Sequence, residues 1–562
     1  MATAVSVPTF APLRVPEYRR VWVAAVVSNL GTFLQLVAAP WLMLELTRSP
    51  FLVSLVTASL ALPRLLLTLP AGALADAYDR RTLLITGQVA SAATTLLMAV
   101  TTWRGLMTPE LLVVLSFGLG IGTAVAMPAY QTLIPDLVPR PMVPAAVTLN
   151  SAGFNVARAV GPAVGGAMVA AGQVPLAFAL NAASYLVIAA TLLTLPRESL
   201  SNEGREPVWH AVVTGIRYVR YTRPVAVVLA VGGFFGLTAA SVQTLLPNVV
   251  ADDLGLGAGA YGVLLGLFGG GALAGAMTRE KARTRLRGEV MLPMSILGFG
   301  IAGTAFGLSR IPVLSGVALA VSGLFWVWTL TTLNATVQLL APRWARSRVM
   351  SLYLLAVVGI QPIGSLVAGG LGEGLGAATA VAVLTVATAL LGVVSTRLEL
   401  PILGEIEEPA PPDDWSIPRH ASRVGGSPVL VVTTWTIAPE DVDRFLEAMR
   451  ELRRHRYRVG ARRWSLYRDA DDPLRMTEVF QVHDWEEHLR QHARIDEEAA
   501  AALRYARSFD RDDGPRTRHL AGIDLLSSAE PIAEQLLTVH EEMHSHDGSV
   551  PLARGDGPTD RS

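Results

Sequence analysis

Twelve long apolar runs dominate this sequence and restrict the folds open to it. A helix that crosses the hydrocarbon core of a bilayer needs roughly 20 mostly apolar residues. Runs of about this length lie near residues 20–46, 51–75, 83–103, 110–134, 145–171, 174–195, 225–250, 259–278, 290–308, 312–340, 349–373 and 376–395. Only 16% of the 562 residues are charged, whereas a soluble domain has about 25%. The sequence therefore predicts an all-α membrane protein with twelve transmembrane helices.

The basic residues between the runs predict the orientation of the chain. Arginine and lysine are retained on the cytoplasmic side of a membrane. If the N-terminus is cytoplasmic, twenty basic residues fall in connections on that side, and only Arg48, Arg104 and Arg310 fall on the other. We expect a multi-pass protein of the cell (plasma or inner) membrane with both termini in the cytoplasm. No removable signal peptide is evident, so the first run is expected to remain as a helix.

The membrane region repeats itself at long period. Three short matches recur at offsets of about 200 residues and at equivalent places in their helices. Such matches predict two six-helix halves related by an axis along the membrane normal. The matched positions are 72–75 with 271–274, Pro162 with Pro362, and 139–140 with 342–343.

These patterns divide the chain into seven segments. Between the halves, residues 209–221 mix aromatic residues with arginines, which is typical either of an amphipathic helix at the membrane surface or of a plain linker. The segments are a cytoplasmic N-terminal segment (1–19), the first half (20–195), a central cytoplasmic loop (196–224), the second half (225–397), a linker (398–427), a small soluble domain (428–525) and a disordered tail (526–562).

Two motifs connect this architecture to a known family. The loop after the second run has Gly72, then Asp76, then the basic pair Arg80 and Arg81. With the two six-helix halves, this loop resembles the signature of the major facilitator superfamily. The fifth run contains Gly161, Pro162, Gly165 and Gly166, which is similar to the glycine-proline signature of antiporters in that superfamily.

The resemblance extends to one branch of the superfamily. Residues 62–64, which read Leu-Pro-Arg, and the C-terminal appendage look like the transmembrane secretion effectors that include enterobactin exporters. The resemblance implies a secondary active transporter that exports a siderophore or drug-like molecule by proton-coupled antiport. Two alternatives stay open: an importer on the same fold, and a membrane-tethered enzyme or sensor.

The loop motif has a physical interpretation as a gate. Gly72 permits close helix approach, and Asp76 can cap a helix or meet the positive end of the eleventh helix across the two halves. Arg80 and Arg81 can pair with acidic groups there and hold an inner gate closed in one state. The alternative, favoured for Arg81, is that the arginines only determine topology.

The fifth-run motif combines a helix-breaking residue with small ones. Pro162 removes a helix hydrogen bond, and Gly161, Gly165 and Gly166 let a neighbouring helix approach closely. The motif predicts a helix that bends and seals a cavity, or simply a structural kink.

Charged and polar residues at membrane depth are candidates for a substrate cavity. Arg64 and Arg158 lie midway along the second and fifth runs, where an ionisable group is costly unless it faces a cavity or a partner. They predict an anion-attracting lining; the alternative is that they snorkel or bond carbonyls freed by neighbouring prolines. Trp326 and Trp328 can stack on an aromatic substrate or simply pack. Polar residues at similar depth are Asn29, Gln35, Asn150, Asn155 and Gln361.

The energy source is harder to locate. No carboxylate lies at mid-depth, so Glu45 and Asp136, near the helix ends, are the candidates for proton coupling. No phosphate-binding loop is present, and residues 257–262 match a dinucleotide pattern without the strand it requires. The expected partners are a small-molecule substrate and the lipid bilayer, with no cofactor and no nucleic acid.

The soluble domain alternates strands and helices. Strands are predicted at 429–437, 464–468, 476–482 and 519–523, with helices at 439–456 and 485–509. This β-α-β-β-α-β order resembles the ferredoxin-like antibiotic-biosynthesis-monooxygenase domains, a resemblance that implies dimerisation. We expect a regulatory or dimerising domain and no enzyme.

Aromatic residues and histidines supply the enzymatic alternative. Trp464, Tyr467, His483 and Trp485 can line an aromatic pocket. His488 and His492 stand four residues apart on a helix, a spacing that can bind metal. Without a carboxylate ligand, however, solvent-facing histidines and no metal site are expected, and no catalytic residue is assigned.

Overall fold

Two compact units make up the chain, residues 1–408 and residues 409–562. The computed structural model describes residues 8, 10–77, 80–194, 208–285, 288–342, 344–398, 428–512 and 514–522. The division falls inside the predicted linker. That linker from residue 399 onward and the predicted tail lie outside the described residues.

Long helices form the first unit. The first half comprises α1 (Pro16–Thr47), α2 (Pro50–Ala77), α3 (Arg80–Trp103), α4 (Pro109–Asp136), α5 (Val143–Ala170) and α6 (Val174–Leu193). The remainder comprises α7 (Val208–Tyr221), α8 (Arg223–Thr244), the short α9 (Leu246–Asn248), α10 (Ala258–Arg285), α11 (Gly288–Leu308), α12 (Pro312–Leu340), α13 (Arg346–Leu354), α14 (Gln361–Leu375) and α15 (Ala377–Ser395).

Eleven helical stretches of the described chain are long and apolar enough to cross a membrane. The mostly helical membrane fold is thus confirmed. The fifth predicted span forms α5, which has 28 residues but is not one of the eleven. Its sequence carries Arg158 together with Asn150 and Asn155, and these polar residues interrupt its apolar character.

Proline and glycine set several helix boundaries. Pro16, Pro109 and Pro312 each stand in the first turn of a helix, where their missing N–H has no helical partner to lose. The Thr108 side chain accepts a hydrogen bond from the backbone N–H of Leu111 and caps α4. Gly376, with φ of 86°, ends α14 and lets the chain turn into α15.

Two predicted spans are not uniform α-helices. A π-helical turn, Val249–Asp253, extends the span that begins with α8. Another, Leu355–Gly359, separates α13 from α14. Pro362 follows that turn and has no N–H to donate to the preceding turn of helix, which favours a local change of helical register there.

The link between the halves contains a helix. In α7, Tyr218 donates a hydrogen bond to the Leu340 carbonyl at 3.2 Å and packs edge-on against Trp344 at 5.5 Å. The helical interpretation of this segment is therefore confirmed. Its location at a membrane surface stays a prediction.

An antiparallel sheet organises the second unit. Its strands are β1 (Val429–Thr436), β2 (Arg462–Arg468), β3 (Arg475–Val482) and β4 (Arg516–Ala521), in the order β2-β3-β1-β4. All three neighbouring pairs are antiparallel. The helices are α16 (Val442–Val459), α17 (Trp485–Ala493) and α18 (Glu497–Arg507).

The prediction of a single helix at 485–509 is wrong, because this segment forms two helices. The chain breaks between α17 and α18, because Asp496 accepts a hydrogen bond from the backbone N–H of Ala499 at 2.9 Å and starts a new helix. The other predicted elements are present, and the alternate side chains Val429, Val431 and Trp435 of β1 are buried. The sheet therefore presents one face to its helices.

Candidate substrate pathway between the two halves

Helices α5 and α10 touch at backbone distance. A Cβ added to Gly166 would lie 2.6 Å from the Cα of Gly262 and 2.8 Å from the Ala258 carbonyl oxygen. A Cβ on Gly262 would in turn strike the carbonyl oxygen of Pro162. Only glycine fits this crossing, as is common where membrane helices pack closely. The fifth-run motif therefore joins the first half to the second.

The other two glycines of that motif face α1. A Cβ on Gly161 would lie 2.5 Å from the Phe33 Cβ, and one on Gly165 would lie 3.1 Å from the Leu34 Cα. The motif thus serves two interfaces at once. Helix α5 remains one continuous element through Pro162.

A second seam joins α2 to α14. The Ser49 hydroxyl donates to the Glu373 carboxylate at 2.8 Å, and the backbone N–H of Phe51 donates to the same oxygen at 3.3 Å. Further along, a Cβ on Gly369 would lie 2.5 Å from the Ser54 Cβ. Glu373, from the opposite half, therefore accepts from one backbone N–H in the first turn of α2 and from the hydroxyl of the residue that precedes the helix.

Both seams reach the same end of the bundle, which we call the Arg48 end. Here α1, α5 and α14 finish and α2 and α10 begin. Arg48 forms an exposed ion pair with Asp252 at 3.4 Å. Trp41 stacks on Tyr261 with ring centroids 5.7 Å apart. The two halves are thus in direct contact at the Arg48 end.

Arg158 lies at the last of the close contacts between α5 and α10, counted from the Arg48 end. Its guanidinium carbon is 5.7 Å from the centre of the Phe268 ring, a cation–π arrangement. Its own carbonyl oxygen would lie 2.7 Å from a Cβ on Gly269. Arg158 is half-buried, so its charge is held at the junction of the halves.

The tryptophans of α12 have structural partners. Trp326 is 5% exposed and its ring lies 5.8 Å from Phe299 and 6.2 Å from Phe268. Trp328 donates to the Gly275 carbonyl at 2.9 Å. Of the two interpretations of these tryptophans, packing is the one observed.

A polar cluster occupies the first half at similar depth. Asn181 donates to the Gln35 side-chain oxygen, and the Gln35 amide donates to the Met98 sulfur at 3.4 Å. The Tyr185 hydroxyl lies 3.4 Å from the Thr32 hydroxyl. These bonds join α1, α3 and α6. Gln35 is 3% exposed and connects helices, so it does not line an accessible cavity in this conformation.

The other predicted lining residues are more accessible. Arg64 is exposed and lies in α2. Asn29, Asn155 and Gln361 are half-buried, and Gln361 begins α14 directly after the π-helical turn. Sequence reasoning missed Asn181 and Tyr185, although both are polar interruptions of the apolar sixth run.

The loop motif is only partly visible. The side chains of Asp76 and Arg80 and the surroundings of Gly72 lie outside what the structure describes. Arg81 donates to the carbonyls of Leu192 at 2.9 Å and Leu193 at 2.6 Å, at the C-terminal end of α6. A cation is favourable there because the final carbonyls of a helix lack internal partners. Arg81 thus anchors α3 to α6 within the first half.

The two candidates for proton coupling lie near helix ends, Glu45 in α1 and Asp136 in α4. Glu45 is exposed and accepts a hydrogen bond from the Trp41 indole at 2.8 Å. It borders an open cavity of ≈ 470 Å³ at the Arg48 end, shared with residues 169–170 and 257–260. The Asp136 side chain lies outside the described residues.

The C-terminal unit departs from expectation at its histidines. His488 is 2% exposed, so the expectation of solvent-facing histidines is wrong for this residue, which packs beside His519 of β4. Tyr467 is 58% exposed, whereas the Trp464 indole donates to Glu478 at 2.8 Å. The four aromatic candidates are therefore not all drawn into one pocket.

The fold of the first unit defines a class. Among solved structures it is similar to a bacterial homologue of the human lysosomal transporter Spinster in an inward-facing, unoccupied conformation (15% identity, 69% of this chain and 96% of that chain, TM-score 0.55). It is also similar to the peptide transporter POT in complex with sulfate (14% identity, 70% and 96%, TM-score 0.57). The chain has the fold of a multi-pass membrane transporter.

The family follows from the sequence match. Residues 7–524 match the transmembrane secretion effector family, and the chain belongs to that family of the major facilitator superfamily. It is 26% identical over 361 residues to the enterobactin exporter EntS of Shigella boydii, covering 64% of this chain and 85% of that relative. These relatives are transporters and not enzymes.

Proposed function

We propose that this protein exports a small organic molecule, of siderophore or drug-like size, across the plasma (inner) membrane by alternating access. This chain is related to an enterobactin exporter and covers 85% of that relative's length. The relationship supports export. The substrate binds between the two halves. Proton-coupled antiport supplies the energy, in keeping with the fifth-run motif.

The proposed topology has twelve spans with both termini in the cytoplasm. Helix α5 counts as the fifth span because its 28 residues exceed the roughly 20 that a bilayer requires. The excess of arginine in alternate connections supports the orientation. In this orientation the Arg48 end faces away from the cytoplasm.

The observation that carries the proposal is the direct contact between halves at the Arg48 end. A carrier must open and close each end in turn, and rocking of one half against the other does this. The α5–α10 crossing at Gly166 and Gly262 closes one end in this conformation. Arg158 and Arg64 then lie below the closure, where they attract an anionic substrate from the cytoplasmic side.

The loop motif supplies the opposite gate. Asp76, with Gly72 and Arg80, holds the cytoplasmic end closed in the alternate state, whereas Arg81 anchors α3 to α6. Glu45 and Asp136 are the candidates for proton exchange at the two ends. Half-buried Asn29, Asn155 and Gln361 line the pathway between them.

The C-terminal unit has a supporting role in this proposal. Its strand order β2-β3-β1-β4 and its antiparallel pairing support a ferredoxin-like domain related to antibiotic-biosynthesis monooxygenases. We assign it to regulation or dimerisation in the cytoplasm.

Cellular accumulation tests the proposal and its direction. Cells that express the protein are expected to accumulate less of at least one compound from a panel of fluorescent drugs and labelled siderophores. Asp76→Asn removes the gate carboxylate, and a protonophore removes the driving force, so each restores accumulation. Asp253→Asn is the matched control: it breaks the pair with Arg310 at 3.1 Å, which lies within the second half and is worth about 0–1 kcal/mol, and it leaves export unchanged.

The same experiment distinguishes export from import, the second candidate function. Higher accumulation in expressing cells, again dependent on Asp76, would assign the protein to import. Equal accumulation across the panel, with the protein verified in the membrane, would count against transport of these compound classes.

A further inference from the structure

One deeply buried histidine of the C-terminal unit lacks a hydrogen-bond partner. His455 in α16 is 2% exposed, and within the described residues neither of its ring nitrogens makes a hydrogen bond. A buried polar group without a partner is costly, and an ion or a water molecule often occupies such a place. His455 is therefore a candidate for binding a ligand that supplies the missing partner.

Two carboxylates lie beside the His455 ring. Glu451 stands four residues earlier on α16 and shares one face of that helix, with its Oε1 3.4 Å from His455 Nε2. Glu498 is the second residue of α18. One ligand atom from each of the three residues lies within 4.8 Å of the other two. The three side chains therefore surround one point, although they come from two helices.

Arg458 holds the two helices in this arrangement. Its side chain is 9% exposed, and its guanidinium donates to both carboxylate oxygens of Asp496, at 2.6 and 2.7 Å, and to Glu498 Oε2 at 2.9 Å. Asp496 caps the start of α18, so this arginine fixes the first turn of α18 against α16. The second oxygen of Glu498, Oε1, lies 3.9 Å from Arg454, which is beyond hydrogen-bond distance. Glu498 is thus positioned through one oxygen and can bind a ligand through the other.

We propose that Glu451, His455 and Glu498 form a binding site for a divalent transition metal ion of the Zn²⁺ class. Zinc binds imidazole nitrogen and carboxylate oxygen at about 2.0–2.2 Å in tetrahedral geometry, which places two ligand atoms about 3.4 Å apart. The contact between Glu451 and His455 already has this length, 3.4 Å. The Glu498 side chain is 61% exposed, so it can rotate to close the remaining distance. Three protein ligands leave the fourth position for water.

The neighbouring arginines do not prevent a cation from binding. Arg454 pairs with Glu451 at 2.8 Å, but the two side chains are 51% and 46% exposed, and an exposed pair contributes little to stability. Arg454 can therefore turn into solvent when a metal ion takes the carboxylate, while Arg458 keeps Asp496 as its partner. Burial lowers the pKa of His455, so its ring is neutral near pH 7, which is the form that binds metal.

The histidines of α17 and β4 are a poorer candidate for a metal site. His488 stands between His492 and His519, with its Nε2 3.3 Å and 2.9 Å from theirs. His519 is exposed, so the three rings do not surround one point. His488 is nevertheless as deeply buried as His455, at 2% exposed, and therefore provides a control for the loss of a buried histidine.

Zinc binding by the purified full-length protein in detergent tests the site. After removal of metal with a chelator, equilibrium dialysis against Zn²⁺ at pH 7 is expected to show a site with a Kd below ~1 µM. Glu498→Gln removes the charge of one ligand and is expected to weaken this binding at least ~10-fold. Glu497→Gln is the matched control, because Glu497 is the neighbouring residue, is 63% exposed and pairs with Arg504. This control is expected to retain wild-type affinity.

A second pair of variants tests the buried ligand. His455→Ala is expected to weaken binding at least ~100-fold, whereas His488→Ala is expected to retain it. If His455→Ala aggregates, Glu498→Gln decides, since the Glu498 side chain is largely exposed. Histidines 540, 544 and 546 are present in every variant, so differences between variants report this site.

Three results would overturn the proposal. The first is that the wild type shows no binding below ~10 µM Zn²⁺. The second is that Glu498→Gln binds as tightly as the wild type, and the third is that Glu497→Gln or His488→Ala loses binding to the same extent as the ligand variants.

Discussion

Gly262→Leu is expected to reduce export at least ~10-fold. The new side chain would strike the Pro162 carbonyl and the Cα of Gly166, which lies 2.6 Å from the position a Cβ on Gly262 would take, and neither backbone can yield as a flexible side chain would. Overpacking of this kind costs about 1–3 kcal/mol, which shifts a two-state equilibrium by about 5- to 150-fold. The state closed at the Arg48 end is therefore depleted, and the cycle stalls. Accumulation of the compound identified by the cellular panel measures the loss.

Helix α10 offers a matched control for this substitution. Within the part of the chain that the structure describes, Gly270 has no heavy atom of a neighbour within 4 Å of the position a Cβ would take. Gly270→Leu adds the same side chain to the same helix and is expected to leave export near the wild-type level. Equal export by both variants, at equal protein levels, would contradict a functional role for the glycine crossing.

Arg158→Gln is expected to raise the KM for an anionic substrate by about 10- to 150-fold, because a hydrogen bond to a charged group contributes about 1.5–3 kcal/mol. The glutamine keeps a polar side chain but loses the charge that lies over Phe268 at 5.7 Å. Arg158→Lys keeps the charge and is expected to retain part of the affinity. Concentration-dependent transport in proteoliposomes separates KM from the maximal rate.

Arg279 provides the control for loss of one arginine from the membrane region. It lies in α10 and donates to the Thr331 carbonyl at 3.4 Å within the second half. Arg279→Gln is expected to leave the KM unchanged. If Arg158→Gln alters only protein yield, or alters anionic and neutral substrates equally, the arginine has a structural role.

The helical architecture was predictable because lipid imposes a simple rule on the sequence. Each span must satisfy its own backbone polar groups and present apolar side chains, so runs of sufficient length reveal the helices directly. Helix α5 shows the limit of that rule: Arg158, Asn150 and Asn155 make it less apolar, yet the chain remains helical. The β-α-β-β-α-β pattern was predictable for a similar reason, since β1 alternates buried and half-buried positions.

The contacts of single side chains were less predictable because they depend on packing between distant segments. The depth of Gln35 in its helix predicts that it lines a cavity. Its side-chain oxygen instead accepts a hydrogen bond from Asn181, which lies 146 residues further along the chain. Arg81 indicates topology in the sequence, and its bonds to the end of α6 appear only when the helices are packed. The spacing of His488 and His492 places them on one face of a helix. His519 lies beside His488 because β4 pairs with β1, which the sequence alone does not show.

A cross-link at the Arg48 end is the most direct test of alternating access in this protein. The sequence contains no cysteine, so an Ala170→Cys, Gly259→Cys variant has only the two introduced thiols. The Ala170 Cβ lies 3.6 Å from the position a Cβ on Gly259 would take, within the roughly 3.5–4.5 Å range of disulfides. Alternating access predicts that oxidation joins the halves and abolishes export, that reductant restores it, and that each single-cysteine variant is indifferent to both. Undiminished export with the cross-link complete would contradict closure and opening at this end as a step of transport.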